Sequence, residues 1–88
     1  MRATHELKLW PVFFEQVRDG RKNFEIRNTK DRTFNEHDFL VLKEWDPETE
    51  KYTGREIERT ITYVYPGDGL MGLHENWAIL SFKPETPQ

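Results

Sequence analysis

The amino-acid sequence predicts a single α+β domain in which about five mostly antiparallel strands form a small barrel-like sheet beside one early helix. The chain has 88 residues, the size of one domain with one hydrophobic core. Six Phe, three Trp and three Tyr supply large side chains for that core. Five short apolar or alternating segments are separated by turn residues, which indicates strands joined by short connections.

The first two predicted elements are a strand and a helix. Polar and apolar residues alternate over Thr4–Leu9, as in a strand with one buried face. Pro11 fits the first position of a helix. Gly20 lies where that helix should end, because glycine adopts a left-handed backbone at little cost. Three apolar residues share one face of the helix: Phe13, Phe14 and Val17.

The second strand is predicted over residues 23–27. Side chains alternate between the two faces of a strand, so Phe24 and Ile26 point one way while Glu25 and Arg27 point the other. We expect the apolar pair to face the core and the charged pair to face a cleft. Residues 28–38 are mostly polar, and we interpret them as a long loop that could close over a site.

The remaining strands are predicted over residues 39–42, 55–65 and 77–82. The first is apolar on both faces and should be buried on both. Turn residues before the second predict a hairpin, and its alternation should place Ile57, Ile61, Tyr63 and Tyr65 on one face. Residues 66–72 are a glycine-rich turn. The domain is expected to cover residues 4–82, followed by a frayed tail over residues 83–88.

Composition limits the possible functions. The chain has no cysteine, which excludes disulfides and thiolate chemistry. The three histidines are far apart with no ligand spacing, so we assign no metal site and no cofactor. Without an apolar leader or a membrane-length segment, a cytoplasmic protein is expected. The net charge is −3, yet residues 18–32 carry six basic and three acidic residues, which leaves −6 for the remainder.

Residues 20–27 read Gly-Arg-Lys-Asn-Phe-Glu-Ile-Arg. This segment fits G-x-K-x-x-E-x-R and resembles the signature of the ASCH domains, members of the PUA-like superfamily of RNA-associated barrels. Nearly the whole domain is similar to a short ASCH-like family of bacteria and phages whose function is unknown. The other similar segments are His5-Glu6-Leu7-Lys8, Phe13-Phe14, Asp31-Arg32, Glu44-Trp45-Asp46-Pro47 and Tyr52-Thr53-Gly54-Arg55-Glu56.

The resemblance implies a pseudo-barrel with a cleft between the early helix and the strands, lined by Lys22, Glu25 and Arg27. It does not imply one reaction. Some ASCH proteins only bind RNA, whereas others are enzymes, among them a ribonuclease and an amidohydrolase that deacetylates N4-acetylcytidine. That amidohydrolase has a threonine nucleophile where this chain has Glu25, so its mechanism cannot be transferred.

Three functions therefore remain open. The first is binding of a nucleotide or single-stranded RNA, with Lys22 or Arg27 on a phosphate and Glu25 accepting a hydrogen bond from a base amino group or a ribose hydroxyl. The second is a small hydrolase of modified nucleosides or RNA that uses Lys22, Glu25 and Arg27 as catalytic residues. The third is a protein-interaction domain for an acidic partner.

The oligomeric state is not predicted. Further candidate nucleic-acid contacts are Arg21, Lys30, Arg32 and Trp45, and other candidate stacking surfaces are Trp10, Tyr52 and Trp77. Trp77 lies inside an unbroken apolar strand, so we expect it to be part of the core.

Overall fold

The computed structural model describes residues 2–84, which form one five-stranded sheet curled into a half-barrel around a single helix. The sheet order is β1-β3-β4-β5-β2, with β1 and β3 parallel and the other neighbours antiparallel. The prediction of five mostly antiparallel strands with one early helix is therefore confirmed. The elements in chain order are β1 (Thr4–Leu9), α1 (Pro11–Arg18), β2 (Phe24–Asn28), β3 (Phe39–Asp46), β4 (Lys51–Pro66) and β5 (Trp77–Pro84).

The helix α1 lies in the concave side of the sheet and packs against β3. It begins with Pro11 and ends before Gly20, whose φ of +88° is the left-handed conformation that glycine tolerates. Phe14 and Val17 are buried, whereas Phe13 is 45% exposed. Of the three apolar residues on the predicted helix face, Phe14 and Val17 therefore pack in the core and Phe13 does not. Within residues 2–84, no helix is long and apolar enough to span a membrane.

The hydrophobic core fills the space between α1 and the inner face of the sheet. The segment between β2 and β3, predicted as a loop, contributes Phe34 to this core. The β3 side chains alternate between buried and half-buried, so β3 is fully buried on one face only. The buried apolar residues are Leu7, Leu9, Phe14, Val17, Phe34, Leu40, Leu42, Ile61, Ala78, Leu80 and Phe82.

A buried hydrogen-bonded pair, His5 and Asp38, fixes the segment before β3 to the first strand. Asp38 is 2% exposed and accepts hydrogen bonds from His5 Nε2 at 2.9 Å and from the backbone N–H groups of Ala3 and Asn35 at 3.0 Å. Burial raises the pKa of Asp38, but these hydrogen bonds outweigh it and hold the pKa below its ordinary value. The pair is thus a structural tie between β1 and β3.

The two faces of β2 are reversed relative to the sequence prediction. Glu25 is buried, while Phe24 and Ile26 are 42% and 47% exposed. The strand β2 is an edge strand paired with β5, so its inner positions face the open side of the half-barrel instead of packed core. A carboxylate with charged partners fits there. Trp77, predicted to be core, is 39% exposed because β5 turns Ala78 and Leu80 inward.

A β-bulge in β4 overturns the predicted common face of that strand. Ile61 pairs with Phe82 and Tyr63 with Ser81, so Thr62 is one extra residue in β4. After this residue the alternation reverses, and Val64 packs on the core while Tyr63 is 53% exposed. At the end of the sheet, β5 continues through Pro84. The predicted frayed tail beyond Pro84 lies outside the described residues.

Candidate nucleotide-binding cleft

An open cleft of about 320 Å³ lies between the two edge strands, β1 and β2, where the half-barrel does not close. We call it the β1–β2 cleft. The first turn of α1 forms part of its wall because β1 runs directly into that helix. Its volume is at the lower end of the range for small-ligand pockets. The lining residues are Lys8, Leu9, Trp10, Phe13, Glu25, Ile26 and Arg27.

Glu25 is the central polar group of the β1–β2 cleft. Its carboxylate accepts hydrogen bonds from Lys22 Nζ and, at 3.3 Å, from Arg27 Nη2. The side-chain exposures of Lys22, Glu25 and Arg27 are 15%, 9% and 26%. The structure therefore brings together the three residues of the G-x-K-x-x-E-x-R motif, with one carboxylate between two cations.

The two cations are anchored by the backbone as well as by Glu25. Lys22 Nζ donates to the Phe24 carbonyl at 2.9 Å, and Arg27 Nη2 donates to the Lys8 carbonyl at 2.8 Å. The second contact crosses from β2 to β1 and so spans the gap between the edge strands. An ammonium has three donors and a guanidinium has five. Both groups can therefore hold Glu25 and still donate to a ligand.

The opposite wall of the β1–β2 cleft is aromatic. Trp10 and Phe13 are 50% and 45% exposed, although each is large and apolar. Their position at the start of α1 places them across the cleft from Glu25 and Arg27. The sequence prediction included Trp10 among possible stacking surfaces but did not include Phe13. The exposed flat faces next to charged groups are suited to a flat, polar-edged ligand.

Lys22 reaches Glu25 but is not itself a lining residue, contrary to the prediction, and the other predicted contact residues also lie outside this lining. Arg21 is exposed and donates to Asp19 at 2.9 Å. Lys30 is exposed. Arg32 lines a separate cavity that also includes Trp77. Trp45 is half-buried, with Lys8 Nζ 4.2 Å from its ring centroid, so it lies behind one lining residue of the cleft.

Comparison with known proteins gives the family but no activity. Residues 4–82 match the family described as "Domain of unknown function (DUF3850)". The chain belongs to this family. The DUF3850 domain is also 41% identical over 64 residues to the "Uncharacterized 12.9 kDa protein in GpA 3'region" of Escherichia phage P2. That match covers 73% of this chain and 56% of the phage protein.

A second charged cluster in this DUF3850 domain was not singled out from the sequence. Glu44 is 4% exposed, accepts two hydrogen bonds from Arg55 at 2.9 Å and accepts one from Thr53 Oγ1 at 2.7 Å. Arg55 also donates to Glu15 of α1 at 2.6 Å. The hydrogen bond from Arg55 holds the pKa of Glu44 below its ordinary value, against the opposing effect of burial.

This second cluster holds the helix in place. It joins β3, β4 and α1, and the Arg55 guanidinium lies 4.8 Å from the ring centroid of buried Phe14. One signal in the sequence could have located it: Glu44 continues the inward alternation of Leu40 and Leu42 and must therefore have a buried partner. By fixing α1, the cluster also fixes the aromatic wall of the β1–β2 cleft.

Proposed function

We propose that the β1–β2 cleft binds one nucleotide, either free or as an unpaired base of a single-stranded RNA. The observation that carries the proposal is the combination, in one small cleft, of an exposed aromatic wall with a buried carboxylate that is held by the lining residue Arg27 and by Lys22 outside the lining. A nucleobase has a flat face for stacking and polar groups on its edge. Trp10 or Phe13 would stack on the flat face of the base, and Glu25 would accept a hydrogen bond from an amino or imino group on its edge.

In this proposal the two cations have different roles. Arg27 bridges to β1 and faces the cleft, so its remaining donors would bind a base oxygen or a phosphate. Lys22 is more enclosed and holds the Glu25 carboxylate, which makes it a positioning residue. The basic residues Arg21, Lys30 and Arg32 would act at a distance, by attracting a polyanion to an otherwise acidic chain.

Titration of the labelled protein with a panel of mononucleotides at low salt tests the proposal. We expect amide shifts in α1 and β2, centred on Trp10 and on residues 25–27. The Trp10→Leu variant should bind about tenfold more weakly, because one base-stacking contact is worth ~1 to 3 kcal/mol. Tyr52→Leu, at an exposed tyrosine outside the cleft lining, is the matched control and should bind normally. No shift in the cleft at high nucleotide concentration would overturn the proposal.

The Glu25→Gln variant separates base recognition from phosphate recognition. Glutamine keeps the shape of Glu25 but lacks its charge, so a nucleoside should bind less tightly. Inorganic phosphate should bind at least as well as before, since Lys22 and Arg27 then face no competing carboxylate. Unchanged nucleoside binding by Glu25→Gln would mean that Glu25 does not bind the base.

The same cleft chemistry could also support hydrolysis, and turnover is the outcome that would show it. A panel of acylated nucleosides and RNA oligomers can be incubated with the protein and with Lys22→Ala. Turnover that this variant abolishes would make the cleft an active site. Binding without turnover in either protein would leave it a recognition site.

We further propose that this DUF3850 domain is an ASCH-like member of the PUA-like superfamily. The support is the Gly20, Lys22, Glu25 and Arg27 spacing and the arrangement of a curled five-stranded sheet with an early helix. A crystal structure superposed on known ASCH domains would test this relation. Equivalent strand order and a cleft at the same motif would support it, and a different strand order would contradict it.

A further inference from the structure

The outer face of strands β2, β5 and the end of β4 carries an exposed group of large apolar side chains. We call this group the aromatic face. Four of its members are clearly exposed: Phe24 at 42%, Ile26 at 47%, Tyr63 at 53% and Trp77 at 39%. Exposed apolar surface of this kind commonly marks an interaction site. The complete group is Phe24, Ile26, Tyr63, Tyr65, Trp77 and Ile79.

The strand register places these side chains in adjacent rows. Phe24 pairs with Ser81, which pairs with Tyr63. Ile26 pairs with Ile79, which pairs with Tyr65. Directly paired residues on one face of a sheet have Cβ atoms only about 5 Å apart. The row of Ile26, Ile79 and Tyr65 is therefore continuous, and Ser81 separates Phe24 from Tyr63 in the row beside it.

The bulge at Thr62 creates part of the aromatic face. Without an extra residue, the alternation set by buried Ile61 would turn Tyr63 and Tyr65 toward the core. With it, Val64 packs inside and both tyrosines face outward. Bulges of this type redirect side chains and often lie near functional surfaces.

Charge divides the outer surface of the sheet into two halves. The outward positions of β1, β3 and the first part of β4 include three glutamates, Glu6, Glu56 and Glu58, beside two lysines, Lys8 and Lys43, and Lys43 is paired with Glu6 at 3.6 Å. The outward positions of β2, β5 and the last part of β4 include no carboxylate, and Lys83 is their one charged residue. Lys22 Nζ also lies 5.0 Å from the Phe24 ring centroid. In an acidic chain, this half of the described sheet is the one that matches a polyanion.

The aromatic face is continuous with the β1–β2 cleft. The strand β2 is the shared wall, since Glu25 and Arg27 point into the cleft while Phe24 and Ile26 point outward. Ile26 also lines the cleft, so the two surfaces meet at the edge of β2. A single-stranded nucleic acid with one base in the cleft would thus pass directly onto the aromatic face.

We propose that the aromatic face is a stacking platform for single-stranded nucleic acid, binding the bases next to the one held in the β1–β2 cleft. Aromatic side chains on a sheet surface stack on successive bases without regard to sequence, because every base has a flat π face. This inference rests on the proposed nucleotide-binding function of the cleft, and it adds a requirement for a strand longer than one nucleotide.

Binding of uridine monophosphate and of a uridine hexanucleotide, measured by calorimetry and amide shifts, tests this proposal. The hexanucleotide should bind the native chain more tightly than the mononucleotide. Tyr63→Leu should weaken hexanucleotide binding about tenfold, which corresponds to ~1.4 kcal/mol of stacking, and leave mononucleotide binding unchanged. The matched control is Tyr52→Leu, since Tyr52 is 51% exposed on the same strand but on the part that faces Lys43. It should change neither affinity.

The possible results separate the two proposals. Equal hexanucleotide binding by the native chain and Tyr63→Leu would overturn the platform but leave the cleft proposal standing if the mononucleotide still binds. No binding of either ligand would overturn both. Sedimentation without ligand gives a further check: self-association that Tyr63→Leu abolishes and Tyr52→Leu does not would assign this face to a second copy of the chain and overturn the platform.

Discussion

Replacing Glu25 by glutamine should destabilise the domain by about 2 kcal/mol. Removing one partner of a fully buried ion pair costs about 3 to 5 kcal/mol, whereas exposed pairs contribute about 0 to 1 kcal/mol. The cost of removing the Glu25 charge should lie between these limits, since the Glu25 side chain is 9% exposed but those of its partners are 15% and 26% exposed. Glutamine also keeps one carbonyl acceptor for Lys22 or Arg27, which reduces the loss.

Urea and thermal unfolding of Glu25→Gln can measure this loss. For a domain of this size, 2 kcal/mol corresponds to a fall of about 8 to 16 °C in Tm. A domain with the usual stability of about 5 to 15 kcal/mol would remain folded, so ligand binding by the variant stays interpretable. Glu58→Gln, at an exposed position on β4, is the control and should lose less than 0.5 kcal/mol. A loss for Glu25→Gln as small as that of the control would refute the reasoning, because it would show that water already screens the three charges.

Two further predictions concern stability. Unfolding in urea should become easier as the pH falls below about 4.5, because Glu44 and Asp38 have folded-state pKa values below their ordinary values of 4.5 and 3.8. The unfolded chain therefore binds more protons in this range, and Glu44→Gln should make the pH dependence shallower. Gly54→Ala should cost about 1 to 2 kcal/mol, since Gly54 has a φ of +95° but open space around its Cβ position. Gly67→Ala should cost more, because its Cβ would lie 1.9 Å from the His74 carbonyl oxygen, and urea midpoints of the two variants should rank in that order.

The sequence was sufficient to predict the elements because each has a local signal. Pro11 and Gly20 bound a short helix, and turn residues separate the strands. Most predicted strand limits were nevertheless too short, as in β4, which begins at Lys51 instead of residue 55. A strand end depends on hydrogen bonds to its neighbour, and the neighbour is set by the tertiary fold.

The sequence was not sufficient to predict which face of β2 is buried. Alternation defines two faces but not which of them meets the core. The rule that apolar residues point inward fails here because β2 is at the edge of the sheet, with the open side of the half-barrel on its inner face. The same rule fails after Ile61, where one extra residue reverses the alternation. In both cases the information that was missing is the strand order and register, which no local pattern contains.

The pairing of Glu25 also bears on the kind of ligand that the proposed function requires. A phosphate alone would have to compete with the Glu25 carboxylate for Lys22 and Arg27, and it would gain nothing from the aromatic wall. A base alone can give a hydrogen to Glu25 while the carboxylate keeps both cations, because each carboxylate oxygen accepts more than one hydrogen bond. Base recognition therefore disturbs the observed ion pairs least, and the phosphate of a bound nucleotide is better accommodated at the rim of the cleft, near Lys8 and the outer donors of Arg27, than beside Glu25.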